Sequence, residues 1–159
     1  MIGFNQTARV VLLAAGLMMF NAAQAAGTFG PADPNSTSYK PIVKYVLGDI
    51  GPHGGKVYYV DNSGEHGLEA KAVDEINSLS WGDTVTAASA YGSGWHLPTK
   101  TELKVLYEQK KVVGGFANDD YWSSTVLDSN SAWIQGFVNG DQDRYNKYSK
   151  LSVRAVRAF

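Results

Sequence analysis

The chain has 159 residues, no cysteine and a formal net charge of −1 at pH 7, with 44% hydrophobic residues. That length serves one ordinary domain with one core, and the missing thiols exclude disulfides, a lipid-anchor cysteine, thiol nucleophiles and thiolate metal sites. The near-neutral charge balance gives no ground for a general polyanion binder, and no nucleic-acid partner is expected.

Val10 to Phe20 is an apolar run preceded by Arg9 and followed by Ala23-Gln24-Ala25, which reads as a secretory signal over residues 1–25. Asn21 and Gln24 stop the run short of the ~20 apolar residues that a membrane helix needs, so no integral span is expected after cleavage. Losing Arg9 with the signal takes the formal net charge from −1 to −2. Residues 26–44, rich in Gly, Pro, Ser, Thr and Asn, read as a flexible leader, and 45–159 as the folded domain.

The first folded elements are strands. Gly51-Pro52-His53-Gly54-Gly55 marks a tight glycine turn before Lys56-Val57-Tyr58-Tyr59-Val60, which is β-branched and aromatic. Turn residues Asp61 to Gly67 separate it from Leu68 to Val73, which alternates with period two, and the spacing predicts a hairpin. Alternation sends Tyr58 and Tyr59 to opposite sides. A short helix is expected over Thr84–Tyr91, with Asp83 as its N-cap and Gly92 and Gly94 as its end. Trp95 and Leu97 are expected in the core, and Pro98 keeps the residue before it extended.

Thr99-Lys100-Thr101-Glu102 fits a capping box, in which the threonine hydroxyl and the glutamate carboxylate satisfy first-turn amides. A second helix is therefore predicted over 99–111, with Gly114-Gly115 as the stop. Strands return at Tyr121–Thr125, Ser131–Val138 and Leu151–Phe159, with turns at Leu127–Asn130 and Asn139–Gln142. Antiparallel strands at both ends around two central helices make an α+β domain.

Few of these residues point to catalysis. His53, His66 and His96 have no close ligand spacing, so no metal or other cofactor is expected. Asn139 to Asp143 offers the oxygen donors that calcium prefers, yet it lacks the spacing of an EF-hand loop, and Asn-Gly is itself a hairpin turn. No nucleophile, base and orienter can be named together, and a non-enzymatic role is expected.

Charge gathers at the far end instead. Arg144, Lys147, Lys150, Arg154 and Arg157 fall in the last sixteen residues, which contain no acid, with Tyr145 and Tyr148 among them. Basic side chains interleaved with aromatics suit sulfated or phosphorylated polymers, through charge and through stacking on sugar rings. These seven are the candidate ligand-binding residues. Arg144, Lys147 and Lys150 are expected on the turn before the last strand; Arg154 and Arg157, three apart on that strand, point to opposite faces, so at most one joins a given patch.

The order GWHLPTKTEL, VVGGFANDDYWSST, SAWIQGFVNGDQ and a closing LSVRAVRAF resembles the C-terminal domain family of the Legionella collagen-like adhesin, and LGDIGPHGGKVYYVDNSGEHGLEA resembles the segment that precedes it. The resemblance covers roughly Tyr45 to Phe159. The Leu97-Pro98-Thr99 to Glu102 element and the arginine-bearing last strand are also similar to the sulfatase-modifying, formylglycine-generating group, which implies a C-type-lectin-like architecture. That group's activity depends on cysteines and is not carried over. Both groups commonly have arginine where this chain has His96. The motifs of calcium-dependent sugar binding are missing, so that mode is not implied.

What the adhesin resemblance implies is an exported lectin-like module, in the periplasm, at the cell surface or secreted, that binds anionic polysaccharide such as sulfated host glycosaminoglycans. The collagen-like repeats that drive trimer formation in that adhesin are absent from this sequence, so a lone domain must form a homo-oligomer by itself or bind weakly. The other reading is an envelope protein-interaction or assembly module, with Tyr45, Tyr58, Tyr59 and Trp133 partly exposed at an interface.

Overall fold

A computed structural model describes residues 42–159. The predicted signal lies outside the described residues, as does the predicted leader up to residue 41. Lys44–Phe159 forms one compact unit. Its elements run β1 (Lys56–Val60), β2 (Gly67–Ala70), α1 (Trp81–Ser89), α2 (Lys100–Glu108), α3 (Lys110–Val113), β3 (Asp120–Val126), β4 (Ser131–Gly136), β5 (Gln142–Asn146) and β6 (Val156–Ala158). They build two antiparallel three-stranded sheets, ordered β1-β2-β6 and β3-β4-β5. The class is α+β.

The predicted hairpin is β1 and β2, and Tyr58 is 1% exposed while Tyr59 is 47% exposed, with a register shift between Val57 and Tyr59 where Val57 is buried as well. The buried side of this pair removes Tyr58 from any interface. β2 stops at Ala70 rather than Val73, because Lys71 N donates to Ala155 O and the chain turns to follow the C-terminal segment. The glycine turn before β1 wraps a fully buried carboxylate. Glu69 accepts from His53 Nδ1 at 2.6 Å and from Gly55 N at 2.7 Å, and a Cβ at Gly51 would stand 2.5 Å from Glu69 Oε2. Hence the motif needs glycine there for room.

α1 begins three residues earlier than predicted, with Ser80 rather than Asp83 at its N-cap. Trp81 draws the start back: its backbone N–H donates to Lys147 O and its indole N–H to Ser123 O. α2 has both halves of the capping box, Glu102 N to Thr99 Oγ1 at 3.2 Å and Thr99 N to Glu102 Oε2 at 2.8 Å. The predicted helix 99–111 is broken at Gln109 into α2 and α3, and this second piece brings Val113 into the core before Gly114 and Gly115, both at positive φ, end it.

Two apolar clusters fill the unit. One gathers Trp95, Leu97, Trp122, Ile134 and Val153; the other gathers Tyr58, Leu103, Leu106, Tyr121, Phe137 and Val156. Only Val156–Ala158 of the predicted last strand lies in a sheet. Residues 151–156 instead run between neighbours on both sides: Leu151 exchanges backbone bonds with Leu79, Ser152 with β3 through Asp120 and Trp122, and Val156 with His96. Val153, Arg154, Ala155 and Val156 are all buried in consequence.

Candidate ligand-binding surface

The hairpin of β4 and β5 sets the geometry. Gly136 N donates to Asp141 O and Lys147 N to Asn130 O, each at 2.8 Å, so residues 137–140 form the loop and Trp133 stands directly opposite Arg144. That places the pair between hydrogen-bonded neighbours, the arrangement in which facing side chains approach most closely, about 4.5–5.5 Å at Cβ. Arg144 thus lies on a strand rather than on a turn, as a correction to the sequence reading. Tyr145 points to the other face, where its ring meets Trp122 edge-on at 6.4 Å.

Trp133 is half-buried and carries a cation on its ring. Lys100 Nζ lies 3.1 Å from the indole centroid. The lysine backbone is fixed on two sides, its N–H donating to Thr125 Oγ1 and its carbonyl accepting from Gln142 Nε2, both at 2.9 Å. A cation over an indole is worth about 0.5–1 kcal/mol at an exposed site, while the first turn of a helix favours anions over cations. Neither Lys100 nor Arg144 takes part in the ion pairs among the described residues, which are His53–Glu69, His96–Glu102 and Arg154–Asp74. Two uncompensated cations therefore flank one tryptophan.

Lys147, Tyr148 and Lys150 continue from β5. Lys147 Nζ lies 4.5 Å from the Trp81 ring centroid and donates to Asp128 O at 2.9 Å. Tyr148 is 84% exposed, and Lys150 is exposed. With Arg144 and Tyr145 these groups follow one another along the chain, all exposed except the half-buried Lys147.

The two remaining candidates lie elsewhere. Arg154 is 1% exposed and fully engaged: Nε donates to Asp74 Oδ1 at 2.7 Å, Nη1 to Lys71 O at 2.7 Å and Nη2 to Gly115 O at 2.6 Å. Its guanidinium also stacks on Phe116, 3.9 Å from the centroid. Burying an arginine demands such partners, and at 1% exposure the guanidinium is out of a ligand's reach. Arg157 is half-buried on β6 in the other sheet, donates to Ser93 O and lies against Gly94. The structure does not bring either residue to the β5 surface.

The reading of Asn139–Asp143 as a turn accounts for its oxygens. Asn139 Nδ2 donates to Asp141 Oδ2 at 2.6 Å and Asp141 N to Asn139 Oδ1 at 3.2 Å. Among the described residues no group of three or more His, Asp or Glu is placed to hold a metal ion, and no helix is long and apolar enough to cross a membrane. A depression lined by Lys110, Phe116, Asn118 and Phe137 measures about 160 Å³, below the ~300 Å³ where small-molecule pockets begin. An open surface, more than this depression, is where a large ligand would engage.

Sequence reasoning did not place Lys100 with Trp133. The signal that could have joined Trp133 to Arg144 is the hairpin register; the lysine needs the docking of α2, which no local pattern encodes.

Comparison with known proteins adds one finding. The profile of the Lcl C-terminal domain family matches residues 56–157, from the first residue of β1 to the middle of β6. No curated protein matches the chain. With nearly two thirds of its length matched, the chain belongs to the Lcl C-terminal domain family, an adhesin-associated domain.

Proposed function

We propose that this chain is an exported, non-enzymatic module of C-type-lectin-like architecture that binds anionic polysaccharide at the cell surface. The observation that carries the reading is the run Arg144, Tyr145, Lys147, Tyr148 and Lys150, exposed except for the half-buried Lys147, whose cations are in no ion pair among the described residues. A run of cations interleaved with tyrosines offers sulfate or carboxylate groups charge-assisted hydrogen bonds, and it offers sugar rings apolar faces. The adhesin-associated family supports a surface or extracellular setting. The two histidine–carboxylate pairs serve local structure, one holding the glycine turn and the other the start of α2, and neither orients a nucleophile in the described hydrogen bonds.

The test is retention on immobilised heparin at low salt, followed by a salt titration. Binding is expected to weaken steeply as ionic strength passes about 0.1 M, and to be lost in the Arg144→Ala/Lys147→Ala/Lys150→Ala variant with its fold retained. No retention at low salt, or retention indifferent to the triple substitution, would overturn the reading.

A second reading rests on exposed apolar side chains near β1. Val46, Leu47, Ile50 and Tyr59 are 46–64% exposed, which suits an envelope-protein interface. Crosslinking from Tyr59 to a discrete partner, with heparin retention absent, would favour it.

A further inference from the structure

Arg144, the first cation of the run, shares its face of the hairpin with Trp133, which Lys100 covers, while Tyr145 points to the other face. We infer that Trp133, Lys100 and Arg144 form a clamp for a single acidic pyranose unit, so that the protein recognises a sugar ring and not charge density alone. The inference rests on the anionic-polysaccharide reading and sharpens its ligand.

The chemistry follows from the geometry. An acid group on the sugar, carboxylate or sulfate, can take two cations at once, Lys100 and Arg144, neither of which is neutralised by an ion pair within the described protein. The Lys100 ammonium contacts the indole at 3.1 Å from its centroid, and that contact is weaker than a charge-assisted hydrogen bond to an anion. A bound acid group therefore draws Nζ off the ring. The uncovered indole face then receives the apolar C–H face of the pyranose, an interaction that a polyanion without a ring cannot make. Because the Lys100 backbone is bonded to Thr125 and Gln142, only the flexible side chain has to move. Uncovering the indole costs no refolding.

The experiment compares a heparin hexasaccharide, an oligogalacturonate hexamer and linear polyphosphate of similar charge, at one low ionic strength, with the full chain. Affinity is read by calorimetry and tryptophan emission in parallel. The expected result is that at least one saccharide changes the emission while polyphosphate binds without changing it, and that Trp133→Phe removes the change. Trp133→Ala is expected to lower saccharide affinity about tenfold and leave polyphosphate affinity unaltered. Lys100→Gln and Arg144→Gln, both exposed enough to be tolerated, cover the case in which Trp133→Ala fails to fold; each is expected to weaken the saccharide more than polyphosphate.

The saccharide that responds identifies the acid group, heparin alone meaning sulfate and both meaning that a carboxylate suffices. Equal binding of saccharide and polyphosphate, insensitive to Trp133, overturns the clamp and leaves the polysaccharide reading standing. Absence of binding to all three overturns both.

Discussion

Thr99→Ala removes the hydroxyl that accepts from Glu102 N, and loss of such a cap costs about 1 kcal/mol. Urea denaturation is expected to report that loss while heparin retention is unchanged, since Thr99 belongs to the start of α2 and not to the β5 run. Arg154→Met is expected to cost more, about 3–5 kcal/mol, because it leaves Asp74 without its buried partner. Asp74 also accepts from Tyr121 Oη at 2.5 Å, and burial, with Asp74 beside it, pushes that phenol well above its ordinary range. Adding Asp74→Leu to Arg154→Met should recover part of the stability, since the stranded carboxylate is then gone. A near-neutral Arg154→Met would show that the buried network contributes little.

His96 gives a pH dependence of definite sign. Its Nε2 lies 3.3 Å from Glu102 Oε1; this hydrogen bond raises the histidine above its ordinary 6.5, against the effect of burial. Burial pushes Glu102 upward, but hydrogen bonds from His96 and Thr99 prevail and hold it below its ordinary 4.5. The raised histidine contributes stability in full below 6.5 and loses it as pH climbs through its folded value. The depressed glutamate contributes above 4.5 and loses it as pH falls through its own. The pair therefore stabilises most between these two values, and His96→Gln is expected to lower the melting temperature there more than at pH 8. Equal lowering at both would remove the ion pair from the account.

Among elements, the ones legible in the sequence are those with local chemistry. α2 announces itself through Thr99 and Glu102, and β1 through a run of β-branched and aromatic residues before a glycine-rich turn. β5 was not legible, because Gln142 to Asn146 carries one aromatic, Tyr145, among polar residues, leaving no apolar period to read. Its register was hidden as well. A two-residue Asn139-Gly140 loop would set Trp133 against Asn146, whereas the observed loop of residues 137–140 sets it against Arg144. Arg154 misled for the opposite reason: a strand buried on both sides loses alternation, so an arginine there looks like any surface cation. Gly140 tests the loop. It adopts φ +88°, and an added Cβ would stand 2.8 Å from the Tyr107 ring; Gly140→Ala is expected to cost about 1–3 kcal/mol and to weaken polysaccharide binding with the hairpin. An unperturbed melting temperature would show that this loop relaxes freely.

At the scale of the molecule, residues 151–156 bond to three separate parts of the chain. They bond to Lys71, Glu75 and Leu79 on one side, to β3 on another and to His96 beyond. Both apolar clusters take residues from this segment, Val153 in one and Val156 in the other. Amide exchange at Lys71, Trp122 and Val156 is expected to be the slowest in the domain and to occur only with global unfolding. Faster exchange at Val156 than at Leu106 would mean that the C-terminal segment opens by itself.

This segment has a further consequence for how the domain comes into being. It is the last of the core-forming pieces to leave the ribosome, and its partners lie up to about eighty residues upstream, so the closing contacts form late and against a large loop entropy. Until residues 151–156 have emerged, the earlier strands have no completed core to settle into.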